Sequence, residues 1–339
     1  RPLKFDHDQE TASPGYYSVT LPGISAEAEF TATTRVGLHR YTYEADTAPR
    51  LVIDIGSALG RGESSDCEVH IDHDARELTG SVRTFGSFSG RYGGLQVFFA
   101  AHCLKPWESC TTWSDGAIED NGSSASGDDT LIGLTFAASE TPQPVDIAIA
   151  ISHVSVDNAR ENLRSELTDR TFEVVRAEAA SRWESALSVA RVDGGTDDDR
   201  TIFYTALYRS MMMPTTFSDV NGQYRGFDKQ IHQADGFTYY TDMSLWDTFR
   251  TTHPLYTLLL PQRHRDMLVS LVEMAKQGGN LPRWPSGCGY TNSMFGAPTE
   301  VAVAEAWLKG IREFDVETAW KVMRNAALNP APKDSAWSG

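Results

Sequence analysis

Two short stretches carry side chains suited to holding a polyhydroxylated ligand. In TDMSLWDTFR (241–250), Trp246 offers a flat apolar face for the C–H side of a pyranose. Asp247 beside it can accept hydrogen bonds from vicinal hydroxyls, a charge-assisted pairing stronger than a neutral one. In NLPRWP (280–285), Arg283 and Trp284 stand between two prolines that fix the local backbone, which suits a ligand wall. Plainer roles are open to the same residues. Ser244 or Asp242 can serve as an N-cap, which leaves Asp247 as a first-turn acid facing the helix dipole. Trp284 can fill a core. Asn292, Ser293, Thr299 and Glu300 follow at the next helix entrance, where Ser or Thr can cap and Glu300 can sit in the first turn.

Other chemistries find less support. Glycoside hydrolysis needs two carboxylates flanking the scissile bond, and the 46 acidic residues offer no pair that spacing singles out. The histidines do not cluster: HIDHD (70–74) alternates along a strand, and Asp197, Asp198 and Asp199 lack calcium-loop spacing. No GxSxG, Walker or dinucleotide motif occurs. A net charge of −16 argues against nucleic acid, since no basic stripe is present to neutralise phosphates. That acidity fits a neutral ligand or a divalent cation. No apolar run approaches the roughly 18 residues of a membrane span. The four cysteines form no CxxC pair, which argues against structural zinc. Cys103 and Cys110 bracket a short loop that a disulfide could close. Few lysines and Ser/Thr/Gly-rich loops point to an exported protein.

The elements that must position these residues change character along the chain. Residues 16–154 hold short alternating runs rich in β-branched residues, among them YYSVTL, RLVIDIG, LQVFFAAHC and VDIAIAISHVSV. Gly, Pro, Asp and Ser separate them, and this spacing predicts a sandwich of antiparallel sheets. TTWSDGAIEDNGSSASGDD reads as a polar surface loop. From 156 the period shifts to three and four, with Val175, Ala179, Trp183 and Leu187 on one helical stripe. Beyond 197 the chain reads as five or six helices without strands, joined by long aromatic-rich loops of the kind that line pockets. Paired helices in that order suggest an incomplete α/α toroid. The expected division is a β-sandwich domain over 1–155 lacking its N-terminal part, a helical linker over 156–196, and the first half of an (α/α)6 barrel over 197–339. Both chain ends read as cuts in a longer protein.

Taken in order, ASPGYYSVTL, ATTRVGLHRYTY, FYTALYRSMMMPTTFSD, GQYRGFD, GFTYYTDMSLWDTFRTTHPL, GGNLPRWP and EAWLKGIREFD resemble the calcium-dependent exo-acting α-mannosidases of glycoside hydrolase family 92. They span nearly the whole chain. The resemblance implies a β-sandwich followed by an (α/α)6 barrel, and hydrolysis of non-reducing terminal α-mannose, usually α-1,2-linked, with inversion. It implies a Ca2+ cofactor, an α-mannoside, mannan or N-glycan substrate, and a secreted or extracellular, bacterial setting. It places Trp246 and Asp247 in the mannose pocket, with Arg283 and Trp284 as its wall or support. The family's catalytic acid and base belong to EGxAWQYTW-like and GNDDxGQMSAW-like stretches that do not occur here. They are expected beyond Gly339, in a second polypeptide or missing segment that acts as partner, so the chain alone is expected to be inactive. Cleavage of mannosyl-phosphate-mannose and a non-catalytic carbohydrate-binding β-sandwich are the alternative readings.

Overall fold

The computed structural model describes residues 3–58 and 62–329; residues 330–339, the end of the expected barrel segment, lie outside the described residues. Alternating apolar and polar positions, with β-branched residues that suit a pleated surface, give a first series of strands. They are β1 Glu10–Ser13, β2 Tyr16–Leu21, β3 Ala26–Ala32, β4 Val36–Tyr43, β5 Arg50–Asp54, β6 Glu63–Asp72 and β7 Glu77–Phe85. Then follow β8 Leu95–Cys103, β9 Ser109–Ser114, β10 Ala117–Asp120, β11 Ser124–Gly127, β12 Thr130–Thr135 and β13 Gln143–Ser152. Nine form one sheet in the order β1-β2-β3-β4-β13-β8-β7-β6-β11, and four form another, β10-β9-β12-β5. Their pairings are antiparallel.

The two sheets share one core. Val69, Leu78, Phe99 and Cys103 of the larger sheet pack with Leu51, Cys110, Ile132 and Leu134 of the smaller. Each fully buried aliphatic side chain of this kind contributes about 1.5–3 kcal/mol. The expected sandwich is therefore present. The other face of β4 and β13 is also covered. Val36, Leu38, Ala148 and Ala150 lie under Phe172 and Val175 of α2 (Phe172–Leu187), with Leu163 of α1 (Val156–Leu167) alongside. Burial on both faces explains why the VDIAIAIS run reads as almost continuously apolar. Arg40 fixes this layer: its Nε and Nη2 each donate to Asp146 at 2.8 Å, and its guanidinium lies 4.4 Å over the Phe172 ring.

Two expectations are corrected. The polar insertion is not a loop, because it supplies the end of β9 and all of β10 and β11. All four residues of β10 are exposed, so it pairs through its backbone with no apolar alternation to betray it. Cys103 and Cys110 form no disulfide; all four cysteines are free and buried. Cys110 behaves as a small core residue, with Sγ 3.8 Å from His73 Nε2 and 3.6 Å from the Gly122 carbonyl oxygen.

Gly80 on β7 is a sharp test of this packing. It pairs with Val69 next to an irregularity in the β6–β7 register, and a Cβ there would fall 1.9 Å from the Glu68 carbonyl oxygen. Gly80→Ala must push the paired strands apart. Overpacking of this kind costs about 1–3 kcal/mol, expected as a clear loss of melting temperature in a thermal scan. An unchanged midpoint would contradict the packing.

The described residues divide into two compact units, one within Arg1–Gly86 and Gln96–Ser185, the other within Ser87–Leu95 and Ala186–Gly339. The second unit carries α3 Asp197–Met211, α4 Leu245–Thr248, α5 Thr252–Leu259, α6 Pro261–Gly278, α7 Pro298–Leu308 and α8 Val316–Leu328. α3 opens with a capping box in which Thr196 and Asp199 satisfy each other's backbone N–H groups. Pro261 starts α6, and Gly279 at φ 91° stops it in the left-handed conformation that glycine adopts without strain. α6 organises the unit. Met267, Leu271 and Met274 face a cluster with Tyr224 and Tyr239, whereas Leu268 and Val272 face Val303 and Ala306 of α7 and Ala319 of α8. The helix-joining loops, expected to lack strands, hold three short antiparallel pairs. These are β14 Thr215–Thr216 with β17 Tyr240–Thr241, β15 Gln223–Arg225 with β16 Ile231–Gln233, and β18 Pro285–Ser286 with β19 Gly289–Tyr290. Two- and three-residue ladders are too short to show a period.

Candidate functional site

Buried aromatics pack the loops of the second unit. Tyr224 and Tyr239 stack at 3.7 Å between centroids, both buried, with Gln277 Nε2 donating to the Tyr224 hydroxyl at 2.9 Å. At the end of β17, Thr241 Oγ1 donates to the Gly287 carbonyl (2.7 Å), and Asp242 just after it accepts at Oδ1 from the Gly287 N–H (3.1 Å). These two bonds tie the approach to α4 directly to the β18–β19 turn. The two sequence stretches picked out for ligand chemistry thus belong to one framework.

α4 is a single turn. Ser244 occupies its N-cap position without a side-chain bond, and Asp242 commits its carboxylate to Gly287, so neither caps the helix. Trp246 is half-buried. Its ring lies under the Arg250 guanidinium at 4.7 Å and meets the Phe295 ring edge-on at 6.5 Å. Asp247 is exposed, and among the described residues its carboxylate has no hydrogen-bond or ion-pair partner.

Arg283 and Trp284 follow the end of α6, in the approach to β18. Thr291 Oγ1 donates to the Trp284 carbonyl at 2.8 Å, Tyr290 donates to the Asn280 carbonyl at 2.7 Å, and Thr299 donates to the Pro282 carbonyl. Phe88, from Ser87–Leu95, backs Trp284 at 5.5 Å. Arg283, Trp284, Tyr290, Thr291, Asn292 and Ser293 line a small cleft of about 10 Å³. That is room for about one water, far below the roughly 300–1,000 Å³ of most ligand sites, so these residues can make at most one wall of a site. The structure therefore places Arg283 and Trp284 on the pocket and Trp246 against Phe295 at the far end of the same 291–296 loop. Asp247 projects from α4 into open space.

Glu300, read from sequence as a first-turn acid, proves more unusual. Its Oε2 is buried without a hydrogen-bond partner. Burial pushes its carboxyl above the usual carboxylate range, opposed by its own backbone N–H and by Arg283. Burial likewise pulls the Arg283 guanidinium down, opposed by Glu300. Periodicity places Glu300 at the start of a helix but says nothing of what surrounds it. The Ser87–Leu95 segment was also missed as part of this unit; its only sequence signal is the glycine-rich run TFGSFSGRYGG.

A calcium site needs several oxygen ligands gathered within a few ångströms. Among the described residues no group of three or more His, Cys, Asp or Glu is placed to hold a metal ion. Among the described residues no helix is long and apolar enough to cross a membrane.

The glycosyl hydrolase family 92 catalytic domain matches this chain over residues 158–338, and the N-terminal domain of the same family matches residues 1–152. A secreted glycosidase of Arthroderma benhamiae, itself uncharacterised, is 24% identical over 366 aligned residues, covering 97% of this chain and 41% of that protein. A family GH92 α-mannosidase of Bacteroides thetaiotaomicron superposes with a TM-score of 0.91 at 29% identity, over 98% of this chain and 45% of that one. A family GH92 inverting mannosidase of the same organism gives 0.88 at 25% identity, over 98% and 44%. The chain thus spans less than half the length of these relatives.

Proposed function

Because the chain belongs to glycosyl hydrolase family 92, we propose that the complete enzyme removes non-reducing terminal mannose from α-mannosides, α-1,2-linked ones foremost, with inversion and with the help of calcium. The observation that carries this reading is the fold match to family α-mannosidases along 98% of the chain, with Trp246 and Asp247 presented at the surface of the matching helical unit. A mannose ring has an apolar C–H face and a rim of hydroxyls. Trp246 suits the face, Asp247 can accept from two adjacent hydroxyls, and Arg283 can donate to a ring or hydroxyl oxygen, with Trp284 as wall.

In this reading the residues of this chain bind and orient the sugar. Inversion requires an acid on one side of the bond and a base about 6.5–9.5 Å across, with a water between. The acid and the base are assigned to the portion of the enzyme C-terminal to Gly339. Residues 1–155 and 197–339 then act as sandwich domain and first half of the barrel, with 156–196 as the linker. Secretion follows the same reading and the secreted relative. Large apolar side chains stand open on the helical unit, among them Leu258, Leu308 and Trp320. An uncovered barrel half would present such residues, which favour association with a covering partner.

The direct test is an assay of purified 1–339 on α-1,2-mannobiose, alone and after addition of the C-terminal portion of the enzyme. No turnover is expected from 1–339 alone. Turnover should appear on reconstitution and disappear with a calcium chelator. Hydrolysis by 1–339 alone would overturn the assignment of the acid and base, and a reconstituted enzyme inert on every α-mannoside would overturn the function.

A further inference from the structure

We infer that Arg91 is a positioning residue that holds the pocket-lining 291–293 loop in its working shape. The inference rests on the reading of the Arg283–Trp284 pocket as part of the mannose site. Arg91 lies in Ser87–Leu95, which belongs to the helical unit although it is joined in sequence to β7 and β8. Its Nη1 donates to the Thr291 carbonyl at 2.5 Å and to the Ser293 hydroxyl at 2.7 Å, bridging a sequence separation of 200 residues or more. One guanidinium nitrogen thereby clasps the residues on either side of Asn292.

That stretch needs clasping. Asn292 at φ 53° and Met294 at φ 61° both occupy the left-handed region. Asparagine tolerates it, whereas methionine is strained there because its Cβ crowds the backbone. Non-glycine residues persist in this conformation only where their surroundings over-determine them, and they gather at ligand sites. Thr291 supplies part of the restraint from within, donating to the Trp284 carbonyl and accepting from the Ser293 N–H at 3.2 Å. Arg91 supplies the part that comes from outside the loop.

The clasp is itself anchored. Tyr92 packs so closely against Gly289 that a Cβ there would lie 2.4 Å from the tyrosine ring. Lys229 Nζ stands 4.4 Å over the same ring while donating to the Cys288 carbonyl at 2.9 Å. Phe88 lies behind Trp284 on one side and 5.5 Å from the Arg91 guanidinium on the other. A cation held at both ends, with its donors aimed at a carbonyl and a hydroxyl, fixes the loop more tightly than a neutral contact would. Thr291, Asn292 and Ser293 are half of the residues lining the pocket, so displacing them reshapes the surface that meets the sugar.

Two measurements test this. Hydrogen exchange of amides 290–296 in the 1–339 chain reads the clasp without reference to activity. Steady-state kinetics of the complete enzyme on α-1,2-mannobiose reads its consequence. Arg91→Ala is expected to speed exchange across the loop and to raise KM about tenfold while kcat stays within about threefold. Arg91→Lys should restore part of both, because it keeps one donor. Unchanged exchange, or faster exchange with an unchanged KM while Arg283→Ala still raises KM, would overturn the inference and leave the mannose reading intact. An Arg283→Ala enzyme with unaltered KM would instead overturn the mannose reading of the pocket, and the inference with it. If Arg91→Ala does not fold, Ser293→Ala removes one acceptor of the Arg91 clasp. Because Ser293 also lines the pocket, exchange of amides 290–296 is the readout: it should quicken in smaller measure than in Arg91→Ala, and unchanged exchange would sink the inference.

Discussion

Asp247→Ala in the complete enzyme is expected to lower kcat/KM on α-1,2-mannobiose by about 10²–10³-fold, with the fold and melting temperature unaltered. The reason lies in what Asp247 does in the free protein. It is exposed and unpartnered among the described residues, and α4, on which it sits, is one turn long. Little native-state stability is lost with its carboxylate, since surface substitutions away from special features usually stay within about 0.5 kcal/mol. Binding is another matter. Each hydrogen bond from a sugar hydroxyl to a carboxylate in a desolvated site contributes about 1.5–3 kcal/mol, and a carboxylate can accept two at once. A loss of about 3–4 kcal/mol in transition-state binding corresponds to that factor in rate. Asp247→Asn, which keeps one acceptor but not the charge, should fall between. A variant that melts early with near-normal kcat/KM would show Asp247 to be a structural first-turn acid after all.

The second large effect concerns acid. His253 and His264 are buried almost completely, with His253 Nδ1 and His264 Nε2 2.9 Å apart. His264 Nδ1 lies 2.9 Å from Thr257 Oγ1, which donates to the His253 carbonyl at 3.1 Å. The pair joins α5 to α6. Burial pulls His253 down to about 4 and His264 down to about 3, the latter helped by the neighbouring His253 and Lys309. Both rings are therefore neutral at pH 7, one donating to the other. The ordinary histidine value is about 6.5, so between that value and the folded ones the unfolded chain binds more protons than the folded one. Stability rises with pH wherever that holds. The full contribution is thus present above about pH 6.5 and drains away as pH falls towards 4 and 3.

Each ring that the unfolded chain protonates and the folded chain does not removes about 1.4 kcal/mol for every pH step of one within that window. Both rings act in the same direction over the same window, so acid removes stability through each of them. The measurement is urea unfolding at pH 7.5, 5.5 and 4.5 for the native chain and for His253→Asn/His264→Gln. The native chain should lose stability steeply with acid. The double variant should begin less stable at pH 7.5, having lost the packed ring pair, and show a shallower slope. Equal slopes would mean that the pair does not set the acid limit.

Sequence and tertiary structure contributed different things. The strands that line the sandwich core were readable because a sheet with one buried face must alternate, and RLVIDIG and LTGSVRTF do. Helices were readable where an apolar stripe recurs, as over Val175, Ala179, Trp183 and Leu187, which fall in α2. β10 was not, because all four of its residues are exposed, and β11 was not, because Ser-Ala-Ser-Gly offers only Ala125 as an apolar signal. The two-residue ladders at 215–216 and 285–286 escaped for want of length.

The site divides along the same line. Residue chemistry made Trp246, Asp247, Arg283 and Trp284 candidates beside plainer roles as first-turn acid or core filler, and the family resemblance favoured the sugar site. Only the fold decided that Arg283 and Trp284 share a pocket wall with Asn292 and Ser293, and that Asp242 ties α4 to the turn at Gly287. It also left Glu300 with a buried, unpartnered oxygen and brought Arg91 to a loop 200 residues away. Side-chain type and local period are properties of neighbours along the chain. Burial, orphaned polar atoms and long-range hydrogen bonds arise only when distant segments pack, and no local pattern encodes them.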